Sequence, residues 1–269
     1  MPLAVCATPI GNLEDVTLRV LRALGEADLV LCEDTRRTRV LLDRHGVVAR
    51  LASYHRHNEA ARTPEALARL ERGEILSLVS DAGLPGVNDP GARLITAAVA
   101  AGHEVTVLPG PSAVETALVA SGLAGVRYQF IGYLPRRRGE RETLVQELAR
   151  YPHSVVAFES PRRLPATLSV LASAMPERRA AVCRELTKRF EQIERGSLAE
   201  LANRFAEAAR GEVTLVLGPA EVAVGDVGAE EAVSAVAELV AAGLPRRQAV
   251  DLVARVSGVA KNALYEASL

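Results

Sequence analysis

The stretch ILSLVSDAGLPGVNDPG, residues 75–91, is the most informative segment of this chain. It opens with an apolar run from Ile75 to Val79, which predicts a buried strand. Three Gly and two Pro follow within the twelve residues from Ser80 to Gly91. Such a loop at the carboxyl end of a strand allows a ligand to approach the backbone closely, and Asp81 and Asp89 add hydrogen-bond acceptors. The stretch therefore predicts an α/β sheet with a ligand site at its carboxyl edge.

The sequence around this stretch alternates short apolar runs with amphipathic helical patterns. That alternation is typical of a mostly parallel sheet with helical crossovers, so we predict an N-terminal α/β domain over residues 1–121. Its predicted strands are Leu3–Cys6, Leu29–Cys32, Leu51–Ser53, Ile75–Val79 and Val105–Leu108.

Residues 122–220 predict a second α/β domain with a mixed sheet. The chain between the apolar runs Cys183–Leu186 and Phe190–Glu194 is too short for a crossover, which predicts antiparallel pairing. Further predicted strands are Phe130–Tyr133, Ser154–Phe158, Ala180–Cys183 and Val213–Leu217. Residues 221–228 predict a linker, and residues 229–269 a small helical appendage. The appendage helices are predicted at Glu230–Ala242, Pro245–Val256 and Val259–Ala267.

Composition excludes several classes of protein. The 269 residues are 49% hydrophobic and 24% charged, as in ordinary soluble globular proteins. The sequence shows no apolar run of about 20 residues and no secretory signal pattern, so we expect a cytoplasmic protein without a membrane span. Three widely spaced cysteines predict neither disulfides nor a thiolate zinc site.

The net charge of −1 hides two arginine-rich regions. Residues 35–62 hold seven Arg against two acids, and residues 127–163 hold eight Arg against four Glu. Basic surfaces on a nearly neutral protein favour a polyanion bound at one face, although solvated arginines would give the same pattern.

Two other strand-to-helix connections add to the ligand-site prediction. In LPGPSA, residues 108–113, Ser112 is placed to cap the following helix. In ATPIGN, residues 7–12, a single glycine occurs, and the dinucleotide and P-loop glycine motifs are missing from the chain. A nicotinamide oxidoreductase is therefore disfavoured. His55 and His57 have no evident third ligand, so an RNA contact is favoured there over a metal site.

Nine ordered segments carry a family resemblance. They are ATPIGNLEDVTLR, EDTRRT, SYHRHNE, SDAGLPGVNDPG, LPGPSA, GYLPRRR, FESPRR, RELTKRFE and RGEVTLVLG, followed by a terminal KNALYE. Together they resemble the tetrapyrrole-methylase superfamily and, within it, bacterial enzymes that methylate a cytidine ribose 2′-oxygen in 16S rRNA. The resemblance implies a two-domain α/β fold, S-adenosylmethionine as cofactor, a homodimer, and 16S rRNA in the assembled small subunit as substrate.

The resemblance also implies a cofactor site. Its residues are Ile10, Asp81, Ala82, Gly83, Leu84, Pro85, Ser112, Ala113, Phe158, Leu186 and Thr214. Two positions depart from the family pattern, since Leu84 stands where Thr is common and Asn88 where Ser is common. A hydroxyl contact from position 84 is consequently lost, whereas backbone contacts are retained.

Transfer to a ribose oxygen requires removal of the hydroxyl proton, so a nearby base is expected and no metal is required. Lys188 is the first candidate, because burial or neighbouring arginines would lower its pKa toward that of a neutral amine. Contact with a phosphate is the alternative role. Glu185 and Glu159 are further catalytic candidates. The remaining acidic candidates are Glu33, Asp34 and Glu59.

Basic side chains are expected to hold RNA phosphates. The candidates are Arg36, Arg37, His55, Arg136, Arg137, Arg162 and Lys261. Tyr54, Tyr133 and Phe158 are candidates for stacking on a splayed base, with core packing as the alternative. The terminal helices resemble a small helix-turn-helix that either binds RNA or packs on the body.

Two other functions remain compatible with the sequence. One is methylation of a tetrapyrrole, which the basic runs and the appended helices disfavour. The other is a non-catalytic RNA-binding or ribosome-assembly protein, which the intact glycine-rich and LPGPSA loops disfavour. Calorimetry with S-adenosylmethionine distinguishes the second alternative from an enzyme, because a protein that does not bind the cofactor cannot be the methyltransferase.

Overall fold

A computed structural model describes residues 2–220 and 229–269. The predicted linker, residues 221–228, lies outside the described residues. The described chain forms two five-stranded sheets and a group of three C-terminal helices.

The first sheet is entirely parallel, as predicted, with the strand order β3-β2-β4-β1-β5. Its strands are β1 (Leu3–Cys6), β2 (Leu29–Cys32), β3 (Leu51–Ser53), β4 (Leu76–Val79) and β5 (Val105–Leu108). The central strands are buried along their whole length, which explains their unbroken apolar runs. Helices α1 (Leu18–Glu26) and α2 (Thr35–Arg44) cover one face, and α3 (Glu59–Glu71) and α4 (Ala92–Ala100) cover the other.

The second sheet is mixed, in the order β6-β7-β10-β8-β9. Strand β6 pairs parallel with β7, and the other pairs are antiparallel. Its strands are β6 (Tyr128–Tyr133), β7 (Ser154–Glu159), β8 (Arg179–Arg184), β9 (Gln192–Ser197) and β10 (Val213–Leu217). Helices α6 (Arg138–Ala149), α7 (Leu164–Ala174) and α8 (Leu198–Arg204) pack on one face.

The predicted antiparallel hairpin of β8 and β9 is confirmed, but its predicted bounds are wrong. Strand β8 ends at Arg184 and β9 begins at Gln192. The reason is backbone conformation, because Glu185 and Thr187 adopt φ of 50° and 64°. A strand cannot continue through this left-handed region. Residues 185–191 therefore form a loop, called here the hairpin loop.

Helix α5 (Ala113–Ser121) connects the two sheets. The predicted domain boundary follows residue 121, which assigns α5 to the first domain. Its side chains Val114, Ala117 and Leu118 nevertheless pack with Val156 and Val216 of the second sheet. The helix therefore belongs by sequence to the first predicted domain and by packing to the second sheet.

The C-terminal helices are α9 (Ala229–Ala241), α10 (Arg246–Ser257) and α11 (Lys261–Ala267), close to their predicted bounds. They share a small core of their own, to which Val236, Val250 and Leu264 belong. Gly243 and Gly258 separate the helices with φ of 96° and 73°. None of the helices within the described residues is long and apolar enough to cross a bilayer.

Candidate active site

Three loops meet at the carboxyl edge of the first sheet. Thr8, after β1, forms a two-way backbone pair with Gly83, after β4, with N···O distances of 2.8 and 3.0 Å. The Thr8 hydroxyl also donates to the Ser80 carbonyl at 3.0 Å. An added Cβ on Gly83 would lie 3.9 Å from both Ile10 and the Pro111 carbonyl, which follows β5. The topology thus brings together the three segments that the sequence analysis singled out.

The glycine-rich loop keeps its shape through left-handed backbone. Gly83 and Gly86 have φ of 75° and 86°, and Asn88 has φ of 62°. Asparagine tolerates this conformation better than most residues with a side chain, which suits the departure from serine at this position. Gly91 has φ of 131°, and an added Cβ would lie only 3.0 Å from the Leu78 side chain, so any other residue would be strained there.

An apolar cluster lies between the first-sheet loops and the second sheet. It contains five of the predicted cofactor residues, namely Ile10, Ala82, Ala113, Phe158 and Leu186. The Phe158 ring lies edge-on to Phe130, with 4.9 Å between the ring centroids. Thr214 is buried beside this cluster, in register with Phe158. We call this region the junction.

The predicted cofactor residues Leu84 and Pro85 lie outside this cluster. Leu84 packs against the core of the first sheet, and Pro85 is buried. Leucine at position 84 therefore adds to the hydrophobic core, as expected of a side chain without a hydroxyl.

The capping role expected for Ser112 is wrong. Ser112 is the N-cap residue of α5, but its side chain accepts no hydrogen bond from the helix backbone. Its hydroxyl donates instead to the Glu115 carboxylate, which also accepts from Tyr128 at 2.7 Å. The carboxylate competes successfully for the hydroxyl because a charged acceptor makes the stronger hydrogen bond.

The lowered pKa expected for Lys188 is also wrong. Burial alone would lower the pKa of Lys188, but its Nζ lies 2.9 Å from Glu185 and 3.0 Å from Glu212. These two carboxylates outweigh burial and raise the pKa above its ordinary value. Lys188 is therefore an ammonium group, and its neighbours are acids where we expected arginines.

Lys188 also lies against the first sheet's loops. The Thr187 hydroxyl accepts from the Asn12 backbone N–H at 3.0 Å. An added Cβ on Gly11 would lie 2.5 Å from the Lys188 side chain and 2.8 Å from the Leu186 carbonyl. The hairpin loop and the turn after β1 therefore form one wall of the junction.

Glu185, a predicted catalytic residue, holds the hairpin loop in place. Its carboxylate accepts from the Glu212 N–H at 2.8 Å as well as from Lys188. The Glu212 hydrogen bond and the Lys188 ammonium lower the pKa of Glu185. Gly211 must lack a side chain here, because an added Cβ would lie 2.4 Å from the Glu185 carboxyl group.

Glu159, the third predicted catalytic residue, is buried at the end of β7. Its carboxylate accepts from Arg163 Nε at 2.7 Å and from the Thr167 hydroxyl and the Ser160 N–H at 2.6 Å each. Both oxygens are already engaged and the side chain is fully buried. The residue therefore ties the strand to α7.

Two aspartates of the glycine-rich loop differ in their partners. Asp81 accepts from the Asp34 N–H at 3.0 Å and lies 3.4 Å from Arg37. Burial raises the pKa of Asp81, although Arg37 opposes the effect. Burial also raises the pKa of Asp89, which reaches about 6 because Glu33, Asp81 and Glu212 add negative charge. The raised pKa of Asp89 was not foreseen from the sequence, since its burial and its proximity to Glu33 and Glu212 depend on the fold, and only Asp81 lies in the same motif.

Most predicted RNA-binding residues lie in loops or first helical turns that follow the strands. Arg36 and Arg37 follow β2, and His55 follows β3. Beyond the parallel ends of β6 and β7 come Arg136, Arg137 and Arg162, all exposed. Lys261 is separate, since it begins α11 and pairs with Asp251.

The two tyrosines predicted to stack on a base differ in how exposed they are to solvent. Tyr54 is 1% exposed and its hydroxyl lies 2.9 Å from that of Thr63, so the stacking prediction for Tyr54 is wrong. Tyr133 is 60% exposed and contacts Phe158 at 5.6 Å between ring centroids. Tyr133 therefore keeps a free face at the junction.

Two other features lie outside this constellation. Among residues 2–220 and 229–269, no group of three His, Cys, Asp or Glu side chains is placed to hold a metal ion. A cavity of about 160 Å³ lies between β3 and α3, lined by Leu51, Arg62 and Arg69 among others. It is smaller than typical ligand sites, which start near ~300 Å³.

Two models of known protein families match this chain. Residues 2–202 match the family model of the tetrapyrrole (corrin/porphyrin) methylases, and residues 227–269 match that of the RsmI C-terminal HTH domain. The ribosomal RNA small subunit methyltransferase I of Mesorhizobium japonicum is 44% identical over 98% of this chain and 90% of that protein. The chain belongs to the ribosomal RNA small subunit methyltransferase I family.

A second member of the family matches over a similar length of this chain. The protein of the same name from Neisseria meningitidis serogroup A is 40% identical over 99% of this chain and 92% of its own. The family assignment therefore covers both sheets and the terminal helices.

Solved structures agree on the fold. Cobalt precorrin-4 methyltransferase has a TM-score of 0.63 at 17% identity, and covers 80% of this chain and 94% of its own. Uroporphyrin-III-C-methyltransferase from Thermus thermophilus has a TM-score of 0.59 at 21% identity, with 80% and 93% covered. The α/β tetrapyrrole-methylase fold with a parallel and a mixed sheet is confirmed.

Proposed function

We propose that this chain transfers a methyl group from S-adenosylmethionine to the 2′-oxygen of a cytidine in 16S rRNA, on the assembled small subunit. Membership of the family over nearly the whole chain carries the proposal. The structure supports it with the junction, where three glycine- or proline-containing loops face an apolar cluster. A cytoplasmic homodimer is part of the same proposal.

The residues present at the junction fit this cofactor. An adenine ring suits the apolar cluster of Ile10, Ala113 and Leu186, and the cofactor's cationic groups suit the carboxylate of Asp81. When bound, the cofactor supplies a methyl group on a cationic sulfur. The loops around Gly83 and Ser112 would hold its polar ends through backbone groups and exclude water.

Lys188 acts in this proposal as a fixed positive charge. Its two carboxylate partners keep it an ammonium, so it orients the hairpin loop and presents Leu186 to the junction. An ammonium cannot accept a proton, so the base has to be another group.

The exposed arginines after β2, β6 and β7 would contact RNA phosphates, which position the substrate without reading its sequence. Tyr133 would stack on a splayed base. The three terminal helices, with Lys261, would add a second RNA contact. Their matched helix-turn-helix model supports this assignment.

A direct test uses purified small subunits and naked 16S rRNA from cells that lack the protein. Each substrate is incubated with the full-length chain and methyl-labelled S-adenosylmethionine, and the labelled nucleotide is mapped by nuclease digestion. We expect label on one cytidine ribose, with intact subunits as the better substrate. Label on a base, or none on either substrate, would refute the proposed function.

A further inference from the structure

The glycine-rich loop contains a carboxylate that the proposed function has not yet used. Asp89 is half-buried, and within the described residues its carboxylate has neither a hydrogen bond nor an ion pair. Asp81, Glu185 and Glu212 are by contrast engaged by Arg37 or Lys188.

Asp89 follows Asn88, whose side chain lies 3.4 Å from the position that a Cβ on Gly132 of β6 would occupy, so the glycine-rich loop reaches the second sheet at this point. Its charged neighbours on the first sheet's side are Glu33, Arg56 and Asp81, and on the second sheet's side Glu212. Burial raises the pKa of the Tyr133 hydroxyl, and the negative charges of Glu212 and Asp89 raise it further. The carboxylate of Asp89 therefore has charged neighbours on both sides of the junction, the region to which the proposed function assigns the cofactor.

The backbone around Asp89 is held from several directions. The Arg56 guanidinium donates to the carbonyl of Asn88, which has left-handed backbone. The Asn88 side chain lies 3.4 Å from the position that a Cβ on Gly132 would occupy. Pro90 and the tightly packed Gly91 follow. The loop therefore has little freedom to withdraw the carboxylate, and this is the preorganisation that a catalytic group requires.

We propose that the Asp89 carboxylate accepts the proton that the ribose 2′-hydroxyl loses during methyl transfer. The inference rests on the proposed function and deepens it. The ribose O–H bond breaks and its proton passes to Asp89, while the oxygen forms a bond to the methyl carbon. The carbon–sulfur bond of the donor breaks, and its electron pair remains on sulfur. Asp89 later releases the proton to water.

Charge changes favour this step. One negative carboxylate and one positive sulfonium become two neutral groups, so charge is lost in surroundings that stabilise it poorly. The pKa of Asp89, about 6, makes it a stronger base than an ordinary carboxylate while leaving it ionised at neutral pH. Lys188 cannot serve in this way, because its carboxylate partners keep it protonated.

Glu33 is the closest competitor, since it also has no hydrogen bond or ion pair within the described residues. It follows β2 on the first sheet's side only, whereas Asp89 has charged neighbours on both the first sheet's side and the second sheet's side of the junction. The test therefore compares Asp89→Asn with Glu33→Gln. Asp43→Asn, at an exposed position of α2, is the matched control for a lost carboxylate.

Single-turnover transfer to small subunits is measured from pH 5 to 9 with the full-length variants, together with the dissociation constants for S-adenosylmethionine and for subunits. We expect the wild-type rate to rise through about pH 6 and then level off. Asp89→Asn should be slower by about 100-fold or more, without that rise, and both dissociation constants should stay within about threefold of wild type. Glu33→Gln should keep the rise but shift it to lower pH, because the charge of Glu33 raises the pKa of Asp89, and Asp43→Asn should leave the rise unchanged.

A readout independent of activity is the titration of the carboxyl group itself. In protein labelled with ¹³C at the Asp carboxyl carbon, one resonance should titrate near pH 6 in wild type and be missing in Asp89→Asn. A fully active Asp89→Asn, a rate loss explained by weaker binding, or loss of the rise in Glu33→Gln would each overturn the inference. A wild-type protein that methylates nothing would refute the proposed function itself, and the inference with it.

Discussion

At the scale of single residues, Asp89 links function to stability. Its pKa rises from 3.8 to about 6 on folding, so ionisation disfavours the folded state, and stability is lost as pH rises through this window. The full shift corresponds to roughly 3 kcal/mol, which partial exposure reduces to about 1–2 kcal/mol. Asp89→Asn should therefore be more stable than wild type at pH 8 and similar to it at pH 3.5, as measured by urea unfolding. Equal stabilisation at both pH values would show that the effect does not come from ionisation of Asp89. Asp43→Asn is the control for loss of an exposed carboxylate.

Gly11 is a second residue whose environment makes a sharp prediction. In Gly11→Ala the new Cβ would meet the Lys188 side chain at 2.5 Å and the Leu186 carbonyl at 2.8 Å, so the hairpin loop has to move. Overpacking of this kind costs about 1–3 kcal/mol, and we expect at least roughly tenfold weaker cofactor binding by calorimetry. Gly25→Ala, in α1, is the control, because its Cβ would make an ordinary 3.5 Å contact with the Val47 side chain. Unchanged cofactor binding in Gly11→Ala would show that the hairpin loop does not shape the site.

At the scale of elements, Glu159 connects β7 to α7. Glu159→Ala removes the partner of the largely buried Arg163 and leaves the Thr167 hydroxyl without its acceptor. Breaking a buried pair costs about 3–5 kcal/mol, so chemical denaturation should show a large loss of stability. Glu140→Ala breaks the exposed pair with Arg137 and should cost less than ~1 kcal/mol. A Glu159→Ala protein as stable as wild type but inactive would restore the catalytic role predicted from the sequence.

At the scale of the whole molecule, we expect the exposed arginines after β2, β6 and β7 to bind RNA on one side of the protein. Arg136→Ala should weaken subunit binding and reduce the slope of log affinity against log salt by about 0.7–0.9, one phosphate contact. Arg72→Ala should leave the slope unchanged, because Arg72 ends α3 beside the opposite edge of the first sheet and pairs with Glu74 at 2.8 Å. Binding titrations between 50 and 300 mM salt provide the measurement, with ~0.15 M as the physiological reference. Equal slopes for wild type and Arg136→Ala would remove Arg136 from the RNA surface.

Much of the architecture could be predicted from the sequence, because it depends on local patterns. Strands β1 and β5 and the terminal helices follow from runs and spacings of apolar residues within a few positions of one another. The order of these elements predicted the parallel sheet, and the glycine-rich loop predicted where ligand chemistry is concentrated. Family motifs then placed Ile10, Phe158 and Leu186 together, as the apolar cluster shows.

The chain by itself therefore determined its elements and the loops that carry the chemistry, whereas the tertiary structure alone decided the charge state of the side chains in those loops. Lys188 has a raised pKa, in spite of its burial, because Glu185 and the sequence-distant Glu212 lie 2.9 and 3.0 Å from its Nζ. Asp89 is a stronger base than usual because it is half-buried by the fold and because Glu33 and Glu212, both distant in sequence, add negative charge near it. Tyr54 is buried in the core of the first sheet, which also depends on how distant segments pack together. Burial and electrostatic interaction depend on distances in space, which no local pattern of residues records.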